Sequence, residues 1–424
     1  MKRCSIVLIS VAALLLGGCA SDSDDGGTGD GSKITLQIEG ELEENVVYRS
    51  LAESFEKDHP DIDVELVEVS ATEDSLAKLT TAFAAGDPPD LFLINYREYA
   101  QFANQGAIEP LGDLIENGDF SLDDYYEAPR EAFTYEGELQ CMPQNISSLV
   151  VYYNTKLFGQ AGIDDPSGGW TFDEFRAAAK ALTKGEIKGL GFEPKLIRLA
   201  PFIWSNGGEV VDDELAPTRF TLDEPRAREA IEKVLELVRE DKVVPSEKEQ
   251  AAESMEDGFT NGNVAMFLGS RRDTPKFREI LDLEWDVAPM PVLKEPAGIL
   301  HSDAYCISSG ADIDAALEFV RFAVGEQGQT ISAFSGRTVP SLQRVAESGA
   351  FLDPSKPPAH SQVFLDAIPT IRRTPVIPTW PEIEAITGEI ITRAFYEADY
   401  SVDTMIEELE EATSLLFEEG SNSP

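Results

Sequence analysis

A regular alternation of strand-like and helix-like patterns begins at residue 33. Period-two alternation predicts strands over 33–39 and 62–69, apolar residues at helical spacing predict helices over 46–57 and 76–85, and an apolar run predicts a buried strand over 91–94. Strands that alternate with helices are typical of α/β domains, because each crossover helix makes neighbouring strands parallel. The pattern therefore predicts an α/β domain with a largely parallel sheet.

The rest of the chain carries further elements of both kinds. Buried strands are predicted over 149–153, 264–268 and 285–288, and helical stretches over 172–183, 225–240, 311–324 and 382–417. We find no internal repeat and no long linker after residue 32. At roughly 150 residues per domain, this length allows two or three domains, and the pattern indicates two closely joined α/β lobes.

The N-terminus has the pattern of an export signal. Met1-Lys2-Arg3 is basic, and an apolar run follows over 6–16 before small residues precede Cys19. The run is too short to cross a bilayer, which takes about 20 residues. Residues 1–18 are therefore predicted to be a cleaved signal peptide.

The end of this signal, Leu16-Gly17-Gly18-Cys19, resembles the lipobox of bacterial lipoproteins. The resemblance implies that Cys19 is lipidated and that the exported chain is anchored to the outer face of the cell membrane. The alternative is an ordinary cleaved signal with an incidental cysteine. Residues 21–32 contain no large apolar side chain, so 19–32 is predicted to be the lipidated cysteine and a flexible linker.

Charge and composition exclude several kinds of function. The chain has 78 acidic and 34 basic residues, a net charge of −44, with 42 % hydrophobic residues, which fits a globular protein. Nucleic acid is excluded as a partner, because phosphate binding needs clustered Lys and Arg. Three scattered His and no Cys-x-x-Cys give no zinc signature, and there is no phosphate-binding glycine loop. No zinc site and no cofactor is expected, and a calcium-binding loop among the carboxylates stays open as an alternative.

Several motifs stand in a fixed order after this N-terminus. The most specific are FEKDHPDIDV at 55–64, FAAGDPPDL at 83–91, and GELQCMP at 137–143 followed by LVVYYNTKLF at 149–158. This ordered set resembles the family 1 extracellular solute-binding proteins of ABC importers, the group that contains maltose-binding protein. The resemblance extends over about residues 33–420, with further matches at 169–175, 206–209, 262–266 and 315–319.

The resemblance implies a two-lobed periplasmic-binding-protein-like fold of type II, in which each lobe is a mixed sheet flanked by helices. It assigns 33–141 plus 307–345 to lobe 1 and 146–302 plus 350–424 to lobe 2. It also implies a hinge of three chain crossings, near Cys141–Asn145, His301–Cys306 and Val339–Leu352.

The same resemblance implies a function. A monomer would capture a sugar or oligosaccharide in the cleft between the lobes and deliver it, unchanged, to the transmembrane subunits of an ABC permease. Three alternatives stay open: a binder of an anionic sugar, sugar phosphate or other small solute, a surface adhesin or sensor, and a secreted glycoside hydrolase. The hydrolase is disfavoured because no hydrolase motif such as Gly-x-Ser-x-Gly is present, and carboxylate pairs arise by chance among 78 acids.

Candidate ligand-binding residues lie in loops that follow strands or hinge crossings. Sugar hydroxyls favour side chains that make paired hydrogen bonds, and apolar sugar faces favour aromatic rings. We therefore predict a ligand site formed by Glu39, Glu41, Asn95, Tyr96, Arg97, Gln144, Asn145, Trp204, Asn206, Gly207, Gly208, Ser270, Arg271, Arg272, His301, Ser302, Asp303, Arg337 and Trp380. Trp170 and Trp285 are instead expected to be structural.

Two features depart from the family pattern. Cleft positions that often hold Trp carry Asn95 and Arg271 here. Arginines are also frequent in the candidate loops, namely at 97, 271, 272, 372 and 373. If two or three of them face the cleft, a ligand with a carboxylate or phosphate is implied. The alternative is that they pair with surface carboxylates.

The resemblance places Cys141 and Cys306 in adjacent hinge strands, and Cys19 is assigned to the lipid. Because export permits oxidation, a Cys141–Cys306 disulfide is predicted. The alternative is two separate buried thiols.

Overall fold

The computed structural model describes residues 31–40, 42–70, 72–115 and 120–421. The predicted signal peptide 1–18, Cys19, most of the linker and Glu41 therefore lie outside the described residues. The first strand begins at Ser32, so the last residue assigned to the linker already belongs to the folded part. None of the described helices is both long enough and apolar enough to span a bilayer.

The strands are β1 Ser32–Glu39, β2 Ile62–Val69, β3 Leu91–Asn95, β4 Ile108–Glu109, β5 Thr134–Tyr135, β6 Glu138–Leu139, β7 Met142–Pro143, β8 Val150–Asn154, β9 Met266–Gly269, β10 Trp285–Ala288, β11 Gly298–Ile299, β12 Asp303–Ser308 and β13 Ile371–Arg372.

The α-helices are α1 Leu42–Asp58, α2 Thr72–Ala85, α3 Ala100–Ala103, α4 Gly112–Ile115, α5 Glu127–Ala132, α6 Thr155–Ala161, α7 Phe172–Leu182, α8 Leu196–Ser205, α9 Pro225–Arg239, α10 Glu247–Ala252, α11 Met255–Thr260, α12 Thr274–Glu279, α13 Ile313–Val324, α14 Glu326–Ser335, α15 Gln343–Ala346, α16 Gln362–Asp366, α17 Trp380–Tyr396 and α18 Val402–Ser421. Short 3-10 helices lie at Leu122–Asp124, Pro166–Gly168, Arg271–Asp273 and Ile368–Thr370.

The first sheet contains the strands predicted from the beginning of the chain. Its order is β2-β1-β3-β12-β4, and β7 also pairs with β12. β1 runs parallel to β2 and β3, as the alternation of strands and helices predicts, whereas β12 is antiparallel to β3, β4 and β7. The sheet is therefore mixed, because one distant strand enters it in the opposite direction.

The second sheet is antiparallel, in the order β10-β8-β9. Tyr152 lies at its centre, opposite both Val287 and Phe267. Its ring contacts Phe277 and Trp285 at centroid distances of 5.0 and 5.5 Å. Aromatic contacts of this kind stabilise a buried sheet face, and they confirm that Trp285 is a core residue.

Three chain segments run side by side between the two sheets. Ser147 exchanges two backbone hydrogen bonds with His301, and the Ile146 amide donates to the Val339 carbonyl. Cys141 and Cys306 form a disulfide at this place, with 4.4 Å between their Cα atoms. The predicted disulfide is therefore confirmed.

Helix α7 begins as its sequence predicts. The Thr171 side chain accepts the Glu174 amide while the Glu174 carboxylate accepts from the Thr171 backbone, which is a capping box. Trp170, just before the cap, is buried and donates its Nε1 hydrogen to the Pro289 carbonyl at 2.9 Å. Its predicted structural role is confirmed.

The structure adds detail at two helical segments. The long helical stretch over 382–417 is two helices, α17 and α18, separated by residues 397–401. Helix α8 was not predicted, since it contains Pro201 and is apolar at nearly every position, so no helical periodicity is visible. Its position matters for the site, because Trp204 belongs to it.

Candidate ligand-binding cleft

A large cleft with a volume of about 2290 Å³ lies beside the three connecting segments. Its walls come from loops after β1 and β3 of the first sheet, from the loop after β9 of the second sheet, and from α8 and α17. The predicted site residues that line it are Glu39, Asn95, Arg97, Asn145, Ser270, Arg271, Arg272, His301, Asp303 and Arg337.

Asp303 is the centre of a hydrogen-bonded floor. It begins β12 and lies opposite Asn95 of β3, so the register of the first sheet brings the two side chains together. Its carboxylate accepts the amide hydrogens of Asn95 at 2.9 Å and Asn145 at 3.3 Å. The Asn145 side-chain oxygen accepts the Asp303 backbone amide at 2.7 Å. These mutual bonds hold the floor in one geometry, ready for polar ligand groups.

Arg97 connects the two sides of the cleft. Its Nε donates to the Asn95 side-chain oxygen at 2.9 Å, and its guanidinium forms an ion pair with Glu384 on α17. The charge of Glu384 raises the pKa of Arg97 despite its burial. The guanidinium therefore stays charged inside the cleft.

A second ion pair crosses the cleft nearby. Nη1 of Arg272, which follows β9, lies 3.3 Å from Oε1 of Glu39 at the end of β1. Arg337 approaches the same place, since its Nη2 donates to the Glu39 carbonyl at 3.4 Å and its guanidinium lies 5.6 Å from the Tyr48 ring centroid. Charged donors from two distant segments therefore meet at Glu39.

Only 1 % of the surface of Arg271 is exposed to solvent. Its guanidinium carbon lies 4.7 Å from the ring centroid of Phe351 and 5.1 Å from that of Phe364. Among the described residues, its three guanidinium nitrogens have no hydrogen-bond partner. Burial lowers the pKa of Arg271 to about 9, because the charged form loses its contact with water.

His301 lies among the arginines of the cleft. Its Nε2 is buried and has no hydrogen-bond partner in the described part of the chain. Burial holds the pKa of His301 well below its usual value, and the charges of Arg198, Arg97 and Arg272 lower it further. The imidazole is therefore neutral at neutral pH.

Several cleft residues were missed by the sequence analysis. Arg198 and Glu193 come from α8 and the loop before it, and Glu384 comes from α17. Their side chains reach the cleft only through tertiary packing, so no local motif marks them.

Glu98 and Asp273 were also missed, although each adjoins a predicted loop residue. Burial, together with neighbouring carboxylates, raises the pKa of Glu98 to about 8 and that of Asp273 to about 7. Glu98 directly follows the predicted Arg97, and Asp273 directly follows the predicted Arg272. A wider window around each predicted loop would therefore have found both residues.

Three predicted residues lie behind the floor and not on it. The hydroxyl of Tyr96 is bonded to Thr374 at 3.0 Å, and the Ser302 hydroxyl donates to the Asn145 carbonyl at 2.6 Å. The Gln144 side chain is bonded to the hydroxyls of Tyr48 and Tyr305, at 3.0 and 3.2 Å. All three are buried, so they support the cleft without lining it.

The predicted aromatic wall at Trp204 is not part of the cleft. Trp204 is 3 % exposed, and Arg372, which is paired with Glu209 at 2.6 Å, covers it at 4.9 Å. The reason is that 196–205 is a buried helix, α8, and not a loop.

The residues after Trp204 do not line the cleft either. The Asn206 amide donates to the Arg226 carbonyl at 2.7 Å. A Cβ on Gly207 would lie 2.9 Å from the Arg226 guanidinium, and one on Gly208 would lie 2.7 Å from the Ala227 amide. This turn therefore packs against α9.

Trp380 is also a core residue. It has no exposed surface, and its ring packs at 6.4 Å from Phe220 and 6.5 Å from Phe417. As the first residue of α17 it points into the core, while its neighbours Pro378, Thr379 and Pro381 line the cleft.

The five arginines of the candidate loops fall into two groups in the structure. Arg97, Arg271 and Arg272 line the cleft, and two of them, Arg97 and Arg272, pair there with Glu384 and Glu39. Arg372 and Arg373 instead pair with Glu209 and Glu214 outside the cleft lining. Among the described residues, His, Cys, Asp and Glu form no group of three arranged to hold a metal ion.

The profile of the family described as bacterial extracellular solute-binding protein matches residues 39–330. This match covers more than half of the chain. The chain belongs to this family.

One curated relative of this solute-binding protein is the diacetylchitobiose binding protein DasA of Streptomyces coelicolor. It is 24 % identical over 404 residues, which are 91 % of each chain. The two chains therefore match over nearly their whole lengths.

Solved structures confirm the fold of the solute-binding protein. The ABC substrate-binding protein Lmo0181 from Listeria monocytogenes, in complex with cycloalternan, superposes with a TM-score of 0.84 at 24 % identity, covering 91 % of this chain and 99 % of that one. Maltose-bound MalE3 of T. maritima superposes with a TM-score of 0.78 at 21 % identity, covering 91 % and 100 %. The predicted two-lobed periplasmic-binding-protein-like fold is therefore confirmed.

Proposed function

We propose that this protein captures a sugar or oligosaccharide in its cleft and delivers it, unchanged, to the transmembrane subunits of an ABC importer. The observation that carries the proposal is the polar floor around Asp303, where Asn95 and Asn145 fix an array of donors and acceptors. Ligand hydroxyls need such an array, because each hydroxyl both donates and accepts. The diacetylchitobiose-binding relative and the cycloalternan complex support a carbohydrate as the ligand class.

The lobe assignment supports capture by closure. We assign 33–141 plus 307–345 to lobe 1 and 146–302 plus 350–424 to lobe 2, joined by the three segments that carry the Ser147–His301 and Ile146–Val339 bonds. The cleft lies beside this hinge, so bending there would bring the walls together around a ligand. The ion pairs from Arg97 and Arg272 would then join lobe 1 to lobe 2.

The ligand-binding set is revised accordingly. It keeps the predicted residues that line the cleft, adds Arg198 and Glu98, and omits the buried Trp204 and Trp380.

Export and anchoring complete the proposal. A lipid on Cys19 and the polar linker would hold a monomeric binding protein at the outer face of the membrane, close to its permease. Globomycin-sensitive processing and labelling of the mature chain with a radioactive fatty acid would test this part. A Cys19→Ser variant that is still labelled would contradict it.

Binding itself is tested by a thermal-shift screen over mono- and oligosaccharides, followed by calorimetry on the hits. A ligand at 100 times its Kd stabilises the folded state by about 2.7 kcal/mol, so the true ligand raises the Tm clearly. Asp303→Asn should weaken binding, because it disturbs the floor, whereas Asp223→Asn on the surface should not. No shift with any carbohydrate would contradict the proposal.

The proposal also states that the ligand leaves unaltered. Chromatography of a bound oligosaccharide after long incubation should return the starting compound. Appearance of shorter products would favour the glycoside hydrolase instead.

A further inference from the structure

The unused hydrogen-bonding groups on the cleft walls are mainly donors. Among the described residues, Nε and Nη1 of Arg198 and the three guanidinium nitrogens of Arg271 have no hydrogen-bond partner, and neither does Nε2 of His301. Each of these residues lines the cleft. A buried donor without a partner costs free energy, so a ligand that supplies acceptors is favoured here.

The nearby acceptors are already occupied. Asp303 accepts two amide groups, while Glu384 and Glu39 each accept an arginine from the opposite side of the cleft. Glu98 also lines the cleft, but its raised pKa of about 8 keeps most of this group protonated at neutral pH, and a protonated carboxyl donates. The carboxylates nearest the floor are therefore already engaged, whereas Glu247, Glu279, Glu382 and Glu389 line the outer parts of the same cleft.

Arg198 is only weakly paired inside the protein and, unlike the almost fully buried Arg271, keeps part of its side chain exposed. It lies in the first turn of α8, its side chain is 13 % exposed, and the ion pair to Glu193 has 3.9 Å between Nη2 and Oε2. By contrast, Arg97 and Arg272 are held by carboxylates across the cleft. The charge of Arg198 is thus largely desolvated without a close counter-ion, which is unfavourable unless a ligand provides one.

We infer that the ligand carries a carboxylate, as a uronic acid or an oligomer of uronic acids does, and that Arg198 binds this carboxylate beside His301. This inference rests on the proposed function and adds the charge of the sugar to it. The hydroxyls of the same sugar would bind to the floor around Asp303.

A carboxylate fits this place better than a phosphate. Glu39, Glu384 and Asp303 lie on the same cleft walls, so a second negative charge on the ligand would be repelled. Aromatic rings are also scarce on the described lining, where Phe267 and Tyr396 are the aromatic members. The ligand is therefore bound mainly by polar and charged contacts, and less by stacking.

The test is calorimetric titration with a panel of uronic acids and their oligomers, each paired with its methyl ester, and with neutral sugars and sugar phosphates alongside. The ester keeps the shape of the uronate and removes its charge. We expect at least one uronate to bind about tenfold or more tightly than its ester, because a charged hydrogen bond is lost. Esters or neutral sugars that bind as tightly as every uronate would overturn the inference and leave the proposed function intact.

The other outcomes are equally decisive. Sugar phosphates that bind more tightly than all uronates would overturn the choice of carboxylate. A panel in which no carbohydrate binds would overturn both this inference and the proposed function.

Variants of Arg198 locate the carboxylate. Arg198→Gln should reduce the uronate-to-ester preference to about onefold while changing ester binding less than threefold, and Arg198→Lys should retain part of the preference. Arg228→Gln removes an exposed arginine on α9 that pairs with Asp403, and it is the matched control. An unchanged preference in a folded Arg198→Gln protein would overturn the assignment to this residue. If that variant does not fold, Arg198→Lys and the ester comparison on the unmodified protein decide.

Discussion

Arg272 and Glu39 form an ion pair across the cleft, with 3.3 Å between Nη1 and Oε1. Arg272 follows β9 of the second sheet, and Glu39 ends β1 of the first. Arg97 and Glu384 join the two sides in the opposite sense, since here the arginine follows β3 of the first sheet. Two ion pairs of opposite direction therefore hold the walls of the cleft together.

Removing both carboxylates should shift the ligand-free protein towards an open form. Partly exposed ion pairs contribute up to about 1 kcal/mol each, which is enough to change the populations of two states that differ by little. The expected result for a Glu39→Gln, Glu384→Gln protein is a larger radius of gyration in small-angle X-ray scattering. Glu65→Gln removes an exposed pair with Lys33 and serves as the control. Identical scattering from the double variant and the parent protein would rule out a closing role for these pairs.

The disulfide should contribute strongly to stability. It joins residues 165 positions apart, and a bond across so long a loop stabilises by about 2–5 kcal/mol, mainly through the unfolded state. Guanidinium unfolding of a Cys141→Ala, Cys306→Ala protein should show this loss, with ligand affinity changed less than threefold. Reductant should lower the unfolding free energy of the parent protein and leave that of the variant unchanged. The prediction is contradicted if reductant leaves the unfolding free energy of the parent protein unchanged after the protein has been unfolded and refolded.

Partly buried carboxyls in the cleft should make stability fall as the pH rises. The pKa of Glu98 is raised from 4.5 to about 8, so the folded state binds a proton that the unfolded state has released between these values. The contribution is complete below about pH 4.5 and is lost as the pH rises through 8, and Asp273, with a pKa of about 7, acts in the same direction. Urea unfolding at pH 5 and pH 8.5 should show a smaller loss of unfolding free energy in Glu98→Gln than in the parent protein, because the variant has no proton to release at this position. An equal loss in the parent and the variant would show that Glu98 is not the group responsible.

The buried tryptophans should affect folding and not binding. Trp380→Ala should cost about 3–5 kcal/mol of unfolding free energy, because the ring packs in the core against Phe220 and Phe417. Trp204→Phe should leave the Kd for the ligand unchanged, since Arg372 covers the indole ring outside the cleft lining. Weaker binding by a fully stable Trp204→Phe protein would restore this residue to the ligand site.

The parts of the site that depend on local pattern could be predicted from the sequence. Asn95 ends β3 and Arg97 follows it, and the buried run over 91–94 marks where that strand stops, whereas Asp303 at the start of β12 was placed by the family resemblance. The floor of the cleft follows directly from this register. Ser302 and Tyr96 were included in the predicted site, but each is buried and lies one residue away from a residue that lines the cleft. Successive residues of an extended segment point to opposite sides, so only one of two neighbours can face the cleft.

The missed and misplaced residues share a different cause. Helix α8 is apolar on all sides, so neither its type nor its exposed edge at Arg198 can be seen in the sequence. Trp204 was taken as a ligand-facing ring for the same reason. Glu384 reaches Arg97 only because α17 packs over the cleft, and a contact between residues 287 positions apart has no local signal.

The burial of all four tryptophans has a practical result for spectroscopy. Trp170, Trp204, Trp285 and Trp380 are all enclosed by protein, and none belongs to the described lining of the cleft. Indole emission will therefore not be quenched by direct contact with a bound sugar. Any intensity change during a titration would instead report a rearrangement of the surrounding protein. Intrinsic tryptophan fluorescence could therefore be used to follow domain movement.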